Sequence, residues 1–339
     1  MKILLIGGTG TISTAISKLL LEQGHELYLL NRGTRAGILG DGAHMLTADA
    51  NDEAAVLSLI SGMRFDAVAD FVAFARPQAE RDFRLFHGRT RQYIYISSAS
   101  AYQKPLADYR ITEGTPLANP YWEYSRNKIA CEEFLMKQYR ENGFPVTIVR
   151  PSHTYDERSI PLGMHGKKGS WQVARRMLGG KPVIIQGDGT SLWTMTHNSD
   201  FAKGFTGLIG NIHAIGEAVQ ITSDETLTWN QIYGAIAAAL GISLNAVHVS
   251  SEFLAACDPE SYLGTLIGDK SNSVVFDNSK LKRLVPGFCA QVRFDRGIAR
   301  TVENVLSHPE LQTEDPEFDA WCDRVIAARE EALRTVRGQ

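Results

Sequence analysis

Met1 to Ile6 (MKILLI) runs straight into Gly7-Gly8-Thr9-Gly10-Thr11-Ile12-Ser13, and Thr14 to Gln23 then has the composition of a helix. A short apolar strand, a glycine turn and a helix N-terminus together form a phosphate site. Glycines let the backbone turn tightly and approach a pyrophosphate, while free N–H groups and the positive end of the helix dipole face that anion. The spacing is G-x-x-G-x-x-S. Ser13 therefore stands where a third glycine usually lets helix and strand pack closely, and it is small enough to substitute. The same glycines also occur in plain turns. Read as a binding motif, the turn offers Gly7, Thr9, Gly10, Thr11 and Ile12 to a dinucleotide.

The chain continues in the same rhythm. Residues 26–30 read as a second strand that ends at Asn31-Arg32-Gly33. About 20 residues after such a turn, a carboxylate would accept the ribose 2′-hydroxyl of NAD. Asn31 and Arg32 stand there, with Arg35 close by. A guanidinium suits a 2′-phosphate, which favours NADP(H) over NAD(H); the other reading makes Arg32 a solvated turn residue. Residues 44–48 form a third strand. Asp49 and Ala50 at its end are candidate adenine contacts, although Asp49 or Asp52 also suits the cap of the next helix. Residues 66–74 form a fourth strand, with Val72 and Ala73 small enough for a dinucleotide to lie against the backbone. Residues 77–87 read as a helix and 92–96 as a nearly all-apolar fifth strand. Such runs separated by helices predict a doubly wound parallel α/β sheet covered on both faces.

Bulk properties narrow the function. The chain has 339 residues, 44% of them hydrophobic and 22% charged, with a net charge of −3. That length suits one large or two fused domains. The charge argues against nucleic acid or an anionic membrane as a general partner, and no apolar run approaches the ~20 residues of a membrane span. Cys131, Cys257, Cys289 and Cys322 are widely separated. They read as free thiols rather than a disulfide frame or metal site. With a strand at residue 1 and no signal peptide ahead of it, they predict a cytoplasmic protein without a metal.

The chemistry is expected where the fifth strand ends in Ser97-Ser98-Ala99-Ser100-Ala101-Tyr102. Some twenty residues on, Pro120-Tyr121-Trp122-Glu123-Tyr124-Ser125-Arg126-Asn127-Lys128 opens a long helix. Tyr124 and Lys128 are four apart and share a helix face. An ammonium beside a phenol lowers its pKa, and a phenol so tuned trades protons with a hydroxyl or carbonyl. A strand-end serine can hold the same oxygen.

With these motifs in this order, the chain resembles the extended short-chain dehydrogenase/reductase superfamily, and within it the NAD(P)-dependent epimerase/dehydratase family, over about residues 1–310. The resemblance implies a Rossmann-type sheet with a smaller C-terminal α+β substrate lobe, divided at about residues 1–150 and 151–339. A strand returning around 217–222 is free to rejoin the sheet. It further implies Tyr124 as acid/base, Lys128 as its helper and Ser98 as the serine, with Ser100 as backup. Two departures stand out. The Asp-Glu pair of the family's dehydratases is replaced by Ala99-Ser100, which argues against dehydration. The segment from Gly187 to Asp200 carries Trp193 where sugar-nucleotide members place a diphosphate-binding arginine.

In the second half, a sixth strand (146–150) ends at Pro151-Ser152-His153. Pro151 and Ser152 are expected at the nicotinamide. His153, Trp193 and His197 are candidate substrate contacts, His153 equally reading as a structural hydrogen-bonder. Lys167, Lys168, Arg175 and Arg176 could replace the missing charge or simply be solvated. Further elements are expected at 170–178, 182–186, 198–209, 218–222, 229–240, 246–249, 294–306 and 316–334. The implied function is an epimerase or oxidoreductase acting on a hydroxyl or keto carbon of a sugar, sugar nucleotide or sugar-like metabolite. The competing class is a non-catalytic module for RNA binding or redox sensing, like the chloroplast stem-loop-binding branch. A homodimer is expected to use the Tyr124 helix, with Phe134, Leu135 and Tyr139 suiting either that contact or the core.

Overall fold

Side chains of a strand alternate between its two faces, so a central strand covered on both sides needs apolar residues throughout. β1 (Lys2–Ile6) meets that demand: Ile3 and Leu5 enter one core cluster, Leu4 and Ile6 the opposite one. The computed structural model describes residues 1–33 and 42–338; Arg35 lies outside them. β1 is joined by β2 (Glu26–Asn31), β3 (His44–Thr47), β4 (Ala67–Asp70), β5 (Tyr93–Ile96), β6 (Val146–Pro151) and β7 (Ala218–Ile221). The order is β7-β6-β5-β4-β1-β2-β3, and every pairing is parallel. This is the doubly wound Rossmann-type sheet. The strand order reverses at β1 and β4, and the crevice beyond their C-terminal ends is where such sheets take a ligand.

One face is covered by α1 (Thr11–Glu22) and the helix Asn198–Leu208, through Ile16, Leu20, Phe201 and Phe205. The other is covered by α2 (Glu53–Leu59), α3 (Arg76–Phe86) and α4 (Glu123–Asn142), through Val56, Phe86 and Leu135. Leu135 is thus in the core, and Phe134 sits edge-on to Phe83 at 6.2 Å. Residues 198–221 therefore pack with the first half of the chain.

A third core cluster, including Trp171, Trp193, Trp229, Tyr233 and Ile298, belongs to the second lobe. Short strand pairs stitch that lobe together. His153–Tyr155 runs beside Met195–His197, Val183–Gln186 beside Ala246–Val249, and Arg110–Ile111 beside Val275–Phe276. The two-residue strands carry no readable periodicity, and sequence analysis missed them. The fourth strand is also shorter than expected. It stops at Asp70, whose Oδ1 accepts the N–H groups of Val72 (2.5 Å) and Ala73 (2.7 Å) and turns the chain away. No helix among the described residues is long and apolar enough to cross a membrane.

Candidate active site

The glycine turn is shaped by close packing. Gly7 has φ +83°, and a Cβ there would stand 2.5 Å from Val72 Cγ1; at Gly8 it would stand 2.4 Å from Leu29 Cδ2. Ser13 does more than fill the place of a glycine. Its Oγ accepts the Gly10 N–H (2.8 Å) and donates to the Gly7 carbonyl (2.6 Å), tying the turn to α1. Asn198 donates to the Thr11 carbonyl at 3.1 Å, so the second lobe braces the same loop. Gly7→Ala adds a methyl group to a left-handed backbone and into Val72. We expect a loss of at least about 2 kcal/mol of stability together with dinucleotide binding, read from urea melts and nucleotide titration.

From this turn a cavity of about 590 Å³ runs along the strand ends to α4. Gly7, Thr9, Gly10, Thr11, Ile12, Asn31, Arg32, Asp49, Ala50, Val72, Tyr124, Lys128 and Pro151 all line it. Its size, the glycines that admit no Cβ and the N-terminal N–H groups of α1 fit a dinucleotide. Two expectations are corrected. Ala73 does not line this cavity: it is fully buried, its N–H bonded to Asp70 and its carbonyl to Lys128. Ser152 lines a neighbouring cavity instead. At the adenosine end, Asn31 Oδ1 accepts the Gly33 N–H at 2.9 Å and leaves Arg32 exposed. Asp52, not Asp49, caps α2, through the Ala55 N–H at 3.0 Å.

Arg81, which no sequence motif marks, lines the same cavity from α3. Its buried guanidinium pairs with Asp70 (2.9 Å) and Asp82 (2.7 Å) and donates to Asn51 (2.8 Å). Through Asp70, that cluster holds the Val72 turn under the groove. The arginine looked like any polar residue of an amphipathic helix; only the partner carboxylate at a strand end set it apart.

The second cavity, about 270 Å³, opens on the far side of Tyr124 and reaches Ser98, Ser100, Ser152, His153 and Trp193. Tyr124 lines both cavities. The Ser98 hydroxyl lies beside the Tyr124 phenol and favours its ionised form. Ser100 is set back. Its Oγ lies 2.9 Å from Ser98 Oγ and accepts from Ser125 at 2.8 Å, while Asn119 donates to its carbonyl. Ser98 thus faces the phenol and Ser100 supports it.

Lys128 is buried, and its Nζ donates to the carbonyls of Ala73 and Ile96, both at 2.8 Å. Burial pushes its pKa down to about 8. Its Nζ lies 5.7 Å from the centroid of the Tyr124 ring, over the face. The expected lowering of the Tyr124 pKa is therefore not what this arrangement produces. Burial raises the phenol, and the Ser98 hydroxyl only partly opposes that.

Trp193 Nε1 donates to His153 Nδ1 at 3.2 Å, and its ring stacks on Trp229 with centroids 5.4 Å apart. Burial pushes the His153 pKa down to about 3, so its ring is neutral. With Nδ1 accepting, the proton sits on Nε2. His197 is a further correction, for it reaches neither cavity. It is bound by Glu157 (3.1 Å) and Ser199 (2.8 Å) at the start of the helix Asn198–Leu208. The four basic residues proposed to replace the missing arginine are also elsewhere. Lys167 pairs with Glu260, Arg175 with Glu314 and Arg176 with Asp319 and Asp323, and Lys168 lines a separate small cavity.

A family model for the NAD dependent epimerase/dehydratase family matches residues 3–221. The chain belongs to that family. It is an enzyme of the short-chain dehydrogenase/reductase type. As a family member it is 26% identical, over 290 residues, to the 2′-dehydrokanamycin reductase of Streptomyces kanamyceticus, covering 85% of this chain and 80% of that protein. It is also 26% identical to the chloroplast stem-loop binding protein of 41 kDa b from Arabidopsis thaliana, over 71% of this chain and 63% of that one. Its fold matches the dTDP-glucose 4,6-dehydratase of Bacillus anthracis, solved with NAD, with a TM-score of 0.72 at 18% identity, over 91% and 98% of the two chains. Within the family, the Gly-rich turn, strand-end serine and Tyr-Lys pair of this chain fall together in space.

Proposed function

We propose that this enzyme is an NADP(H)-preferring epimerase or oxidoreductase acting on a hydroxyl or keto carbon of a sugar or sugar-like metabolite. The observation that carries the proposal is the place of Tyr124, the one residue with a mobile proton among the described residues that lines both the long groove and the small cavity. A nicotinamide bound in the groove supplies or accepts hydride. Tyr124 gives its phenolic proton to a carbonyl oxygen in the reductive direction and takes one from a hydroxyl in the oxidative direction. Ser98 holds that same oxygen. Lys128 is held by the carbonyls of Ile96, in the groove wall, and Ala73, behind it, and keeps a third N–H for a ribose hydroxyl. Its elevated pKa makes Tyr124 a proton donor at neutral pH. Pro151 closes the groove beside the phenol.

The NADP(H) preference rests on Arg32, exposed at the end of β2 where no carboxylate replaces it. Arg32→Ser is expected to weaken NADPH about tenfold or more and NADH little, since it removes a charged hydrogen bond to the 2′-phosphate alone. Equal losses for both would contradict the preference. The function is tested by identifying the nucleotide released when purified protein is denatured, with NADPH and NADH titrations beside it. Stoichiometric dinucleotide supports a retained cofactor and an epimerase cycle. Empty protein that binds NADPH supports a reductase with an exchanging cofactor. Protein that takes neither nucleotide refutes the proposal.

A further inference from the structure

The small cavity contains a charge cluster that no sequence motif announced. Lys104 follows the strand-end serines and is only 3% exposed, yet its side chain reaches the cavity. Asp269 and Lys270 enter from the opposite side, at the end of the helical segment Leu263–Lys270. That segment is wound wide, with Ser271 N–H bonded to the Leu266 carbonyl in an i→i+5 pattern at 2.9 Å. Such turns are rare and concentrate at functional sites. Its position is fixed from three sides. Gly264 packs against the Trp122 indole, the Gly268 carbonyl accepts from Asn119 at 2.7 Å, and the Lys270 carbonyl accepts from Trp229 Nε1 at 2.9 Å.

Among the described residues, neither lysine ammonium makes a hydrogen bond within 3.5 Å or an ion pair within 4.0 Å. Asp269 acts on Lys104 and Lys270 only at longer range. Burial lowers both lysines and raises the aspartic acid. A buried ammonium such as that of Lys104 is costly unless something pairs with it, and the half-buried Lys270 lines the same cavity. Near them, the neutral His153 presents an Nε2–H donor, and Ser98 and Tyr124 present hydroxyls. Two cations and one carboxylate leave the cavity with a surplus of one positive charge and of hydrogen-bond donors. That lining suits an acceptor-rich anion and repels a polycation. The volume, about 270 Å³, lies just below the roughly 300–1,000 Å³ of sites for drug-sized ligands and matches a single sugar ring better than a nucleotide sugar.

We propose that the substrate presented to Tyr124 carries one oxyanion head group, a carboxylate or a monophosphate, seated between Lys104 and Lys270, on a body no larger than a single sugar ring. The inference rests on the functional reading above, which supplies the reacting end of the same cavity. Lys104 and Lys270 orient the substrate by its head group, and the aromatic walls Trp122 and Trp193 flank the ring. Hydride and proton exchange then occur at the end facing Tyr124 and Ser98.

The test is calorimetric titration of the NADP-loaded protein with glucuronate, glucose 6-phosphate, glucose and UDP-glucose at one ionic strength. At least one of the two acids is expected to bind at least about tenfold more tightly than glucose, and the more tightly bound one identifies the head group. Lys270→Gln and Lys104→Gln should each weaken that acid about ten- to a hundredfold. NADP affinity within twofold of wild type certifies that each variant is folded. Lys270 is the more exposed of the two and keeps the test open if the Lys104 variant does not fold. Glucose binding as tightly as both acids, UDP-glucose alone binding, no ligand binding, or acid binding that survives both substitutions overturns the inference. Failure to load NADP at all is a different result, and it counts against the functional reading instead.

Discussion

Tyr124→Phe is expected to lose turnover by a factor of about 10² to 10⁴, the range associated with positioned proton transfer. Dinucleotide binding should change by no more than a few-fold. The phenol lines both cavities, so the substitution removes the proton without removing the ring that separates them. The ring stays packed between Trp122, with centroids 5.0 Å apart, and Phe74, at 6.3 Å. A fall in kcat with nearly constant nucleotide affinity is the signature of a proton donor. A loss of nucleotide affinity comparable to the loss of turnover would mean that Tyr124 shapes the groove instead. Burial raises the phenol pKa, which gives the pH dependence a definite sign. Reduction should hold through neutral pH and fall as the phenol ionises in alkali, while oxidation should gain with rising pH.

Lys128→Met carries the second large effect. It takes the Lys128 donor from the carbonyl of Ile96, which lines the groove, and from that of Ala73 behind it, which keeps only the longer bond from the Tyr95 hydroxyl at 3.3 Å. A drop in kcat of about a hundredfold is expected, with KM for the dinucleotide rising as well, since one interaction serves position and binding together. The same variant has a stability signature. Lys128 titrates at about 8 in the folded chain and at its ordinary value of 10.5 when unfolded. Below both values each state is protonated, and the burial penalty is present in full. Between them the unfolded state binds more protons, so stability rises with pH until the penalty is gone above the higher value. The rise amounts to about 3 kcal/mol at most, from 1.36 kcal/mol per pKa unit. Urea melts of wild type and Lys128→Met at neutral and mildly alkaline pH should therefore diverge in their pH trend. Parallel trends would show that the ammonium is already neutral or better compensated than its burial implies.

Much of the sheet was legible because its signals are local. Residues 1–13 carry strand, turn and helix start together, and β5 is an unbroken apolar run. The Tyr124–Lys128 pair was legible because its spacing is helical and a strand-end serine precedes it. Ser98 and Ser100 differ in depth, Ser100 being tied to Ser125 and Asn119 behind the surface, which no local pattern shows. Other readings failed where the answer lay in long-range packing. His197 is a residue of suitable chemistry in a suitable stretch, but Glu157, forty positions earlier, takes it away from the cavity. The basic run at 167–176 lies away from the small cavity, and the lysines that line it are Lys104 and Lys270. Those residues are 166 positions apart and line one cavity because Leu263–Lys270 folds back against Trp122 and Asn119. Arg81 was hidden for the same reason, since Asp70 and Asn51 reach it from two other strand ends.

The most direct measurement is hydride transfer followed by nicotinamide absorbance. Wild-type protein and Tyr124→Phe, each loaded with NADPH, would be exposed to a panel of keto sugars and keto acids. Wild type should oxidise the bound NADPH with at least one member, and Tyr124→Phe should do so at least about a hundredfold more slowly while holding NADPH as tightly. Equal rates in the two proteins would contradict the assignment of Tyr124 as the proton donor, and with it the central claim about this site.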